Sequence, residues 1–332
     1  MRIPYSEVVV SGNAVDNDQN NSDDLIRIGN KLYYNYAKSK YCYGLIEISE
    51  EGSKRIYWSG PRWLAEYAVL PGIFKKDGRL LAVIQDAVQS YSANTGTFVK
   101  DDFLDSIPGF RMDQDIDFRE SKGKLFYRTD DLYKSTDYDS TLEHIWLYEN
   151  GEHKLLAEGE GLSFYVKDNN LFYIESDIER KDRIIFLKKL DMNTGTTETL
   201  FDLSDFERCG RFAVEGNHIV ISGWNGAYGV YKIAMTGEEK KSLPVCVEGR
   251  KTKDGAKIKE VGTFTVYNGY VYAATDKGVI QYDIDTNEEF TLCEKAAKRC
   301  YIVDDKWVYF SDEESTLYRV TQDGKKIEKV FG

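Results

Sequence analysis

The sequence predicts an all-β fold, a seven-bladed β-propeller of four-stranded antiparallel blades. Three observations carry this. First, one short phrase recurs seven times: GNKLYY (29–34), DGRLLAVI (77–84), KGKLFY (122–127), DNNLFYI (168–174), EGNHIVI (215–221), YNGYVY (267–272) and DDKWVYF (304–310). Second, the copies lie about 45–50 residues apart, and about 37 at the end, which is the period of a propeller blade. Third, each copy sets a tight-turn pair before aromatic and β-branched residues, the composition of a packed strand.

Residues 264–293 show the grammar of one blade. FTVYNG is a short strand ending in Asn268-Gly269, a two-residue hairpin signal. YVYAAT is apolar on both faces, as a strand covered by two neighbouring blades must be. Asp276-Lys277-Gly278 turns the chain, VIQYDID alternates, Thr286-Asn287 turns it again, and EEFTLC forms an outer strand. The other copies repeat this a–b–c–d order. Their third strands are YGLIEIS (43–49), VQSYSA (88–93), HIWLYEN (144–150), RIIFLKKLD (183–191), YGVYKIA (228–234) and TLYRVT (316–321). A Gly-containing turn follows each, because Gly takes positive φ without steric cost. The second copy, without an aromatic, leaves a ring of six blades plus one irregular segment as the alternative count.

The repeat runs from 24 to 332 and is read as one propeller domain. Residues 1–23 are read as an N-terminal arm. Val8-Val9-Val10 is a candidate strand to pair beside KIEKVFG (326–332) and help close the ring.

Composition narrows the function classes. With 24 Tyr, 16 Phe, 5 Trp and only 5 Pro, the 332 residues read as a well-packed β-rich chain. A net charge of −12 opposes general nucleic-acid and anionic-membrane binding. No apolar run approaches the roughly 18 residues of a spanning helix, so no membrane span is expected. The start MRIPYSEVVV lacks a secretory signal, which predicts a cytoplasmic protein, or an extracytoplasmic one if a leader has been removed. Cys42, Cys209, Cys246, Cys293 and Cys300 are odd in number without CxxC spacing, so free thiols are expected. A monomer is expected.

The final copy, KWVYFSDEESTLYRVTQDGKKIEKVF (306–331), resembles the YWTD-type propellers of the LDL-receptor class, and still more the bacterial propeller domains related to them. Trp307-Val308-Tyr309-Phe310-Ser311-Asp312 stands where those families carry an aromatic–Thr/Ser–Asp signature. Leu317-Tyr318-Arg319 and Asp323-Gly324 match the strand and turn that follow. DMNTGTTETLF (191–201) resembles an outer hairpin of periplasmic Tol-type propellers. The resemblance implies a propeller and a tendency to bind proteins. It carries over no catalytic residue.

The turns sort the two faces. The a–b and c–d turns are short and share one face. The b–c and d–a connections share the other, and they are irregular, notably 35–42, 128–143, 176–182, 222–227, 58–71, 101–113, 202–210 and 244–262. Variable loops on a rigid scaffold are where binding groups sit. The candidate binding residues are therefore Arg62, Trp63, Tyr67, Arg111, Tyr133, Tyr138, Arg208, Arg211, Trp224, Tyr228 and Arg299. Arg and aromatic side chains together suit interface hot spots and carboxylate recognition. Arg111, Arg211 and Arg299 are expected to point towards one mouth. The alternative for all of these residues is mutual stacking and surface ion pairing.

Catalytic and metal signatures are sparse. His144, His153 and His218 lie in different strands or turns without metal-ligand spacing. Asp16-Asn17-Asp18-Gln19-Asn20 opens like a calcium loop but has Asn21 at position six and Arg27 at position twelve, which excludes an EF-hand. No GxSxG, P-loop or GxGxxG occurs. No metal or cofactor is expected. The sequence thus favours a non-enzymatic propeller that engages a protein, peptide or glycan, with an anionic partner in view. The alternative is a carbohydrate hydrolase or lyase with acids from different blades, drawn from Asp113, Asp115, Asp117, Asp177, Glu179 and Glu260.

Overall fold

In a computed structural model the chain forms seven four-stranded antiparallel sheets. The structure describes residues 24–39, 42–59, 73–84, 87–92, 95–108, 117–131, 142–177, 184–225, 228–243, 261–302 and 304–332. Blade 1 holds β1 (Leu25–Ile28), β2 (Lys31–Ser39), β3 (Cys42–Ser49) and β4 (Gly52–Ser59). Blade 2 holds β5 (Ile73–Lys76), β6 (Arg79–Ile84), β7 (Ala87–Ser92) and β8 (Thr97–Lys100). Blade 3 holds β9 (Asp117–Ser121), β10 (Lys124–Asp131), β11 (Leu142–Glu149) and β12 (Glu152–Glu160). Blade 4 holds β13 (Ser163–Lys167), β14 (Asn170–Asp177), β15 (Ile184–Asp191) and β16 (Thr196–Asp202). Blade 5 holds β17 (Arg208–Glu215), β18 (His218–Trp224), β19 (Tyr228–Ala234) and β20 (Lys240–Ser242). Blade 6 holds β21 (Val261–Tyr267), β22 (Tyr270–Thr275), β23 (Gly278–Asp283) and β24 (Glu289–Cys293). Blade 7 holds β25 (Arg299–Ile302), β26 (Trp307–Ser311), β27 (Leu317–Thr321) and β28 (Ile327–Phe331). One short 3-10 helix (Leu104–Ser106) is the helical element among the described residues. Among the described residues no helix is long and apolar enough to cross a membrane.

The predicted count of seven therefore holds, including the second copy. Leu80, Leu81 and Ala82 of β6 are buried although that copy lacks an aromatic. Each repeat is one sheet because its short turns force antiparallel neighbours. At Asp77-Gly78, Lys122-Gly123 and Asn268-Gly269 both turn residues have positive φ, the type I′ geometry that matches strand twist.

Apolar side chains fill the wedge between every pair of neighbouring blades. Phe126, Phe164 and Tyr173 pack between blades 3 and 4. Phe212, Tyr231 and Val266 belong to a larger cluster joining blades 4, 5 and 6. The ring closes where Leu25, Tyr34 and Ile46 of blade 1 meet Tyr301, Trp307 and Tyr309 of blade 7. Second strands are the most buried, since each lies inside its sheet and is covered on both faces. All five residues of β26 are buried.

The face bearing the a–b turns is laced by polar ties between blades. Lys75 pairs with Glu120 across blades 2 and 3 at 3.7 Å, and Lys122 with Asp168 across 3 and 4 at 3.3 Å. Lys167 pairs with Glu215 across 4 and 5 at 2.9 Å. Glu215 also accepts from the Gly269 N–H of blade 6 at 2.9 Å. The Tyr267 hydroxyl donates to Asp305 of blade 7, and Arg27 of blade 1 pairs with Asp304 at 2.7 Å. At the seam of blades 1 and 2, Tyr33 and Tyr91 meet edge to face at 6.1 Å. The exposed ones among them, such as Lys122–Asp168, are individually weak, but each tie spans a seam already held by apolar packing.

The b–c turn of blade 6 depends on one glycine. Gly278 has φ +142°, and a Cβ there would collide with the carbonyl oxygen of Cys293. Gly78 has φ +69° with open space around it. Gly78→Ala should cost about 1–2 kcal/mol, the left-handed penalty alone. Gly278→Ala should cost about 2–3 kcal/mol, because backbone strain and a steric clash combine. Urea melts of the two variants check this order, and equal midpoints would contradict it.

Candidate functional site

The irregular face lies opposite these ties. Several b–c connections are shorter than the sequence indicates, because the strands run on past the repeated phrase. β2 reaches Ser39 and β3 starts at Cys42, while β18 reaches Trp224 and β19 starts at Tyr228. Aromatic and small residues at those ends extend the ladder, so 35–42 and 222–227 are largely strand. The long b–c connections are 132–141 and 178–183. The long d–a connections are 60–72, 101–116 and 243–260.

Blade 5 gathers four of the predicted binding residues, and three of them are in register. Arg208 opens β17 and pairs in register with Trp224, which ends β18 and pairs with Tyr228, which opens β19. The three form one row across the sheet at its irregular end. Beside this row, Asp205 of the d–a connection reaches over the b–c turn. Its carboxylate accepts from the Asn225 amide at 3.3 Å and from Lys240 Nζ at 2.6 Å. Leu203 and Phe206, both buried, anchor that connection, and Phe206 meets Tyr231 edge to face at 5.0 Å. A d–a loop and a b–c loop are thereby fixed against each other.

Arg211 sits on a β-bulge in the same inner strand. The register of β17 and β18 jumps between Cys209 and Phe212, so Gly210 and Arg211 together oppose Ser222. The Arg211 N–H donates to Ser222 Oγ at 3.0 Å, and the Ser222 hydroxyl donates back to the Arg211 carbonyl at 3.2 Å. A Cβ on Gly210 would lie 2.6 Å from Ser222 Oγ, so this bulge needs glycine. The neighbouring inner strand β21 has a second bulge between Val261 and Phe264. Bulges re-aim side chains and recur beside functional sites.

Arg299 opens β25 as expected, but its guanidinium forms an ion pair with Asp24 of blade 1. The Asp24 carboxylate is nearly buried and also accepts from the Tyr301 hydroxyl at 3.3 Å and the Asn35 amide at 3.5 Å. Arg299 thus bridges the first and last blades, and Asp24, with its donors Asn35 and Tyr301, carried no repeat signal that would have singled it out. Arg62, Trp63, Tyr67, Arg111, Tyr133 and Tyr138 lie outside the described residues, as does Val8-Val9-Val10.

Among the candidate acids, Asp117 is described, and it pairs with Arg119 at 2.9 Å. The Arg119 guanidinium in turn lies 5.2 Å from the ring centroid of Phe164 in blade 4. Asp117 is therefore tied into the seam of blades 3 and 4. Asp113, Asp115, Glu179 and Glu260 lie outside the described residues, as does the side chain of Asp177. His144 lies 2.9 Å from Glu158, and His218 lies 3.9 Å from Asp285. Among the described residues no three His, Cys, Asp or Glu side chains gather as a metal site requires.

The sequence motifs resolve into turn chemistry. Asp283 Oδ1 accepts from the Thr286 N–H at 2.8 Å and the Asp285 N–H at 2.9 Å, and these bonds hold its carboxyl below the usual range. Asp312 accepts from the N–H groups of Glu314 at 3.0 Å and Thr316 at 2.9 Å. Thr275 does the same in blade 6, accepting from Gly278 at 3.1 Å and Lys277 at 3.2 Å. The aromatic–Ser–Asp signature therefore shapes a b–c turn. Cys293 and Cys300 are free thiols, and burial pushes the Cys300 thiol pKa up.

No protein-family model and no curated protein matches the chain. Solved structures do. A puromycin hydrolase mutant complexed with PGG aligns with TM-score 0.62 at 10% identity, over 100% of this chain and 56% of that one. The acylaminoacyl peptidase of Pyrococcus horikoshii aligns at 0.55 and 13%, over 93% and 52%. An oligogalacturonate lyase in complex with manganese aligns at 0.54 and 8%, over 90% and 88%. The chain spans about half the length of the two hydrolases. At these identities the likeness is one of fold alone.

Proposed function

We propose that this propeller is a non-enzymatic binding module that engages an anionic ligand, an acidic peptide or acidic glycan, through its irregular face. The observation that carries this reading is the row Arg208–Trp224–Tyr228 at the irregular end of blade 5. An arginine and two aromatic residues in register at three adjacent strand ends are the residue types for bidentate carboxylate recognition and apolar contact together. The adjacent Asp205–Asn225 link holds the two bordering loops in place before any ligand arrives, which limits the ordering cost of binding. Arg211, on its bulge, and Arg62, Trp63, Tyr67, Arg111, Tyr133 and Tyr138, on the neighbouring connections, extend the same face in this reading. Kinship with the YWTD-type propellers belongs to it too, resting on 307–312 and the turn that follows.

The rival reading is a carbohydrate lyase or hydrolase. It draws on the oligogalacturonate lyase, which aligns over 88% of its own length. One titration separates the two. Tryptophan fluorescence is followed while polyglutamate and trigalacturonate are added. Saturable binding that weakens between about 0.05 and about 0.5 M salt supports the binding module. Arg208→Ala and Trp224→Ala should each weaken it about tenfold or more. Cleavage of trigalacturonate by the unaltered protein would establish the rival. Salt-independent binding that survives both substitutions would move the site elsewhere.

A further inference from the structure

The seam between blades 2 and 3 carries a hydrogen-bonded chain drawn from three separate elements. His153, near the start of β12, lies between Tyr127 of β10 and Ser106 of the 3-10 turn. The Tyr127 hydroxyl is 2.6 Å from His153 Nδ1, and Ser106 Oγ is 3.0 Å from Nε2. The Ser106 hydroxyl also lies 2.5 Å from the Phe103 carbonyl oxygen, an acceptor only. One proton arrangement satisfies every group. Tyr127 donates to Nδ1, Nε2–H donates to Ser106, and Ser106 donates to Phe103. The imidazole must be neutral for this.

The chain holds down the first half of the connection between the two blades. Phe103 and Ile107 of that connection are buried in the seam. Phe103 meets Tyr148 edge to face at 4.9 Å and stacks on the His153 ring at 6.1 Å. The same connection continues through 109–116, which includes Arg111.

A second proton on His153 breaks the Tyr127 end of this chain, the one bond that needs an unprotonated nitrogen. Nδ1–H would face the Tyr127 hydroxyl proton head on. The phenol would have to turn its own proton away, and Tyr127 is fully buried with His153 as its hydrogen-bond partner. Among the described residues, the nearby carboxylates of Asp77 and Asp105 are engaged by lysines. From β5 comes Lys76, whose Nζ is 4.9 Å from the Tyr148 ring and 5.1 Å from the Phe103 ring, and which pairs with Asp77 at 2.8 Å. From the connection comes Asp105, which pairs with Lys100 at 3.0 Å. From β11 comes Tyr148, its ring 4.8 Å from the imidazole. Glu152 and Lys154 flank His153 in its own strand, with opposite charges.

We propose that His153 is an acid-sensitive latch on the connection between blades 2 and 3: the neutral imidazole ties Ser106 to Tyr127 in the seam, and protonation at Nδ1 breaks the tie at its Tyr127 end, so that the ring no longer anchors Ser106. Burial holds the imidazole pKa below its ordinary value of about 6.5. The unfolded chain therefore binds this proton more readily than the folded one. The stabilisation is complete above the ordinary value and is lost as pH falls through it towards the folded value.

The test uses the full chain. Imidazole NMR follows the His153 resonance, assigned by its loss in His153→Gln, from about pH 8 to about pH 5. A midpoint below about 6.5 is expected, and one at or above that value overturns the proposal. Hydrogen exchange then reads the Ser106 amide, which donates to the Phe103 carbonyl at 3.1 Å. The control is the Phe206 amide, which closes the equivalent turn between blades 4 and 5 at 2.8 Å without a histidine. After correction for intrinsic rates, protection at Ser106 should fall about tenfold relative to Phe206 across the His153 midpoint. Ser106→Ala, a change at an exposed position, should abolish the pH-dependent part for the flanking amides. Protection that changes equally at both turns, or a pH dependence that survives Ser106→Ala, sinks the latch.

Discussion

Phe126→Ala and Phe172→Ala should each lower the unfolding free energy by about 3–5 kcal/mol. Phe126 is 1% exposed and packs between blades 3 and 4, and Phe172 is 5% exposed in the cluster joining blades 4, 5 and 6. Each substitution removes a ring from a wedge that rigid sheets cannot close, so most of the cavity remains. Trp307→Ala belongs in the same range. Trp307 is 6% exposed at the ring-closing seam, and the Arg319 guanidinium lies 4.2 Å from its ring centroid. Trp63→Ala, in the connection between β4 and β5, and Trp224→Ala, at the end of β18, should cost far less. Equilibrium urea denaturation orders the five variants. If Trp63→Ala or Trp224→Ala proved the costlier change, the division into core and binding face would be wrong.

Arg299→Ala should cost about 3–4 kcal/mol, because it strands the nearly buried Asp24 carboxylate. Tyr301 and Asn35 would remain as its neutral donors. Ring closure depends on the meeting of the first and last blades, and this pair sits at that junction. Asp24→Ala added to Arg299→Ala should recover most of the loss, since neither charge is then left alone. The measurement separates two roles for Arg299. A variant with unchanged stability and lost polyglutamate binding would return it to the binding face. A destabilised variant rescued by the second substitution assigns it to closure.

The blade count was legible because turn chemistry and hydrophobic pattern agree in every copy. Asn268-Gly269 turns as its residue types require, and Thr275, Asp283 and Asp312 cap turns with their own oxygens. These are local effects, decided within about five residues. Burial of the second strand was legible for the same reason, since only a strand covered on both sides reads apolar at successive positions. The exact ends of strands were less legible. β2 and β18 run further than the repeated phrase, because pairing continues wherever the neighbouring strand offers partners.

The candidate site was legible in part. Arg208, Trp224 and Tyr228 were marked by residue type and by their place on the irregular face. Their alignment in one row depends on the register of three strands, set by the hairpins below them. The roles of Arg211 and Arg299 were hidden. A bulge decides how Arg211 leaves its strand, and a carboxylate 275 positions away in sequence claims Arg299.

Sequence alone determined what depends on neighbours along the chain: seven repeats, four strands in each, the turn types, and which face carries the variable loops. The tertiary structure decided what depends on neighbours across a seam: the Asp24–Arg299 closure, the lacing from Lys75 round to Asp304, and the Tyr127–His153–Ser106 chain. The physical reason is range. Turn and strand preferences are summed over a few adjacent residues, whereas an ion pair or hydrogen bond between blades needs two side chains whose proximity exists only once the ring has closed.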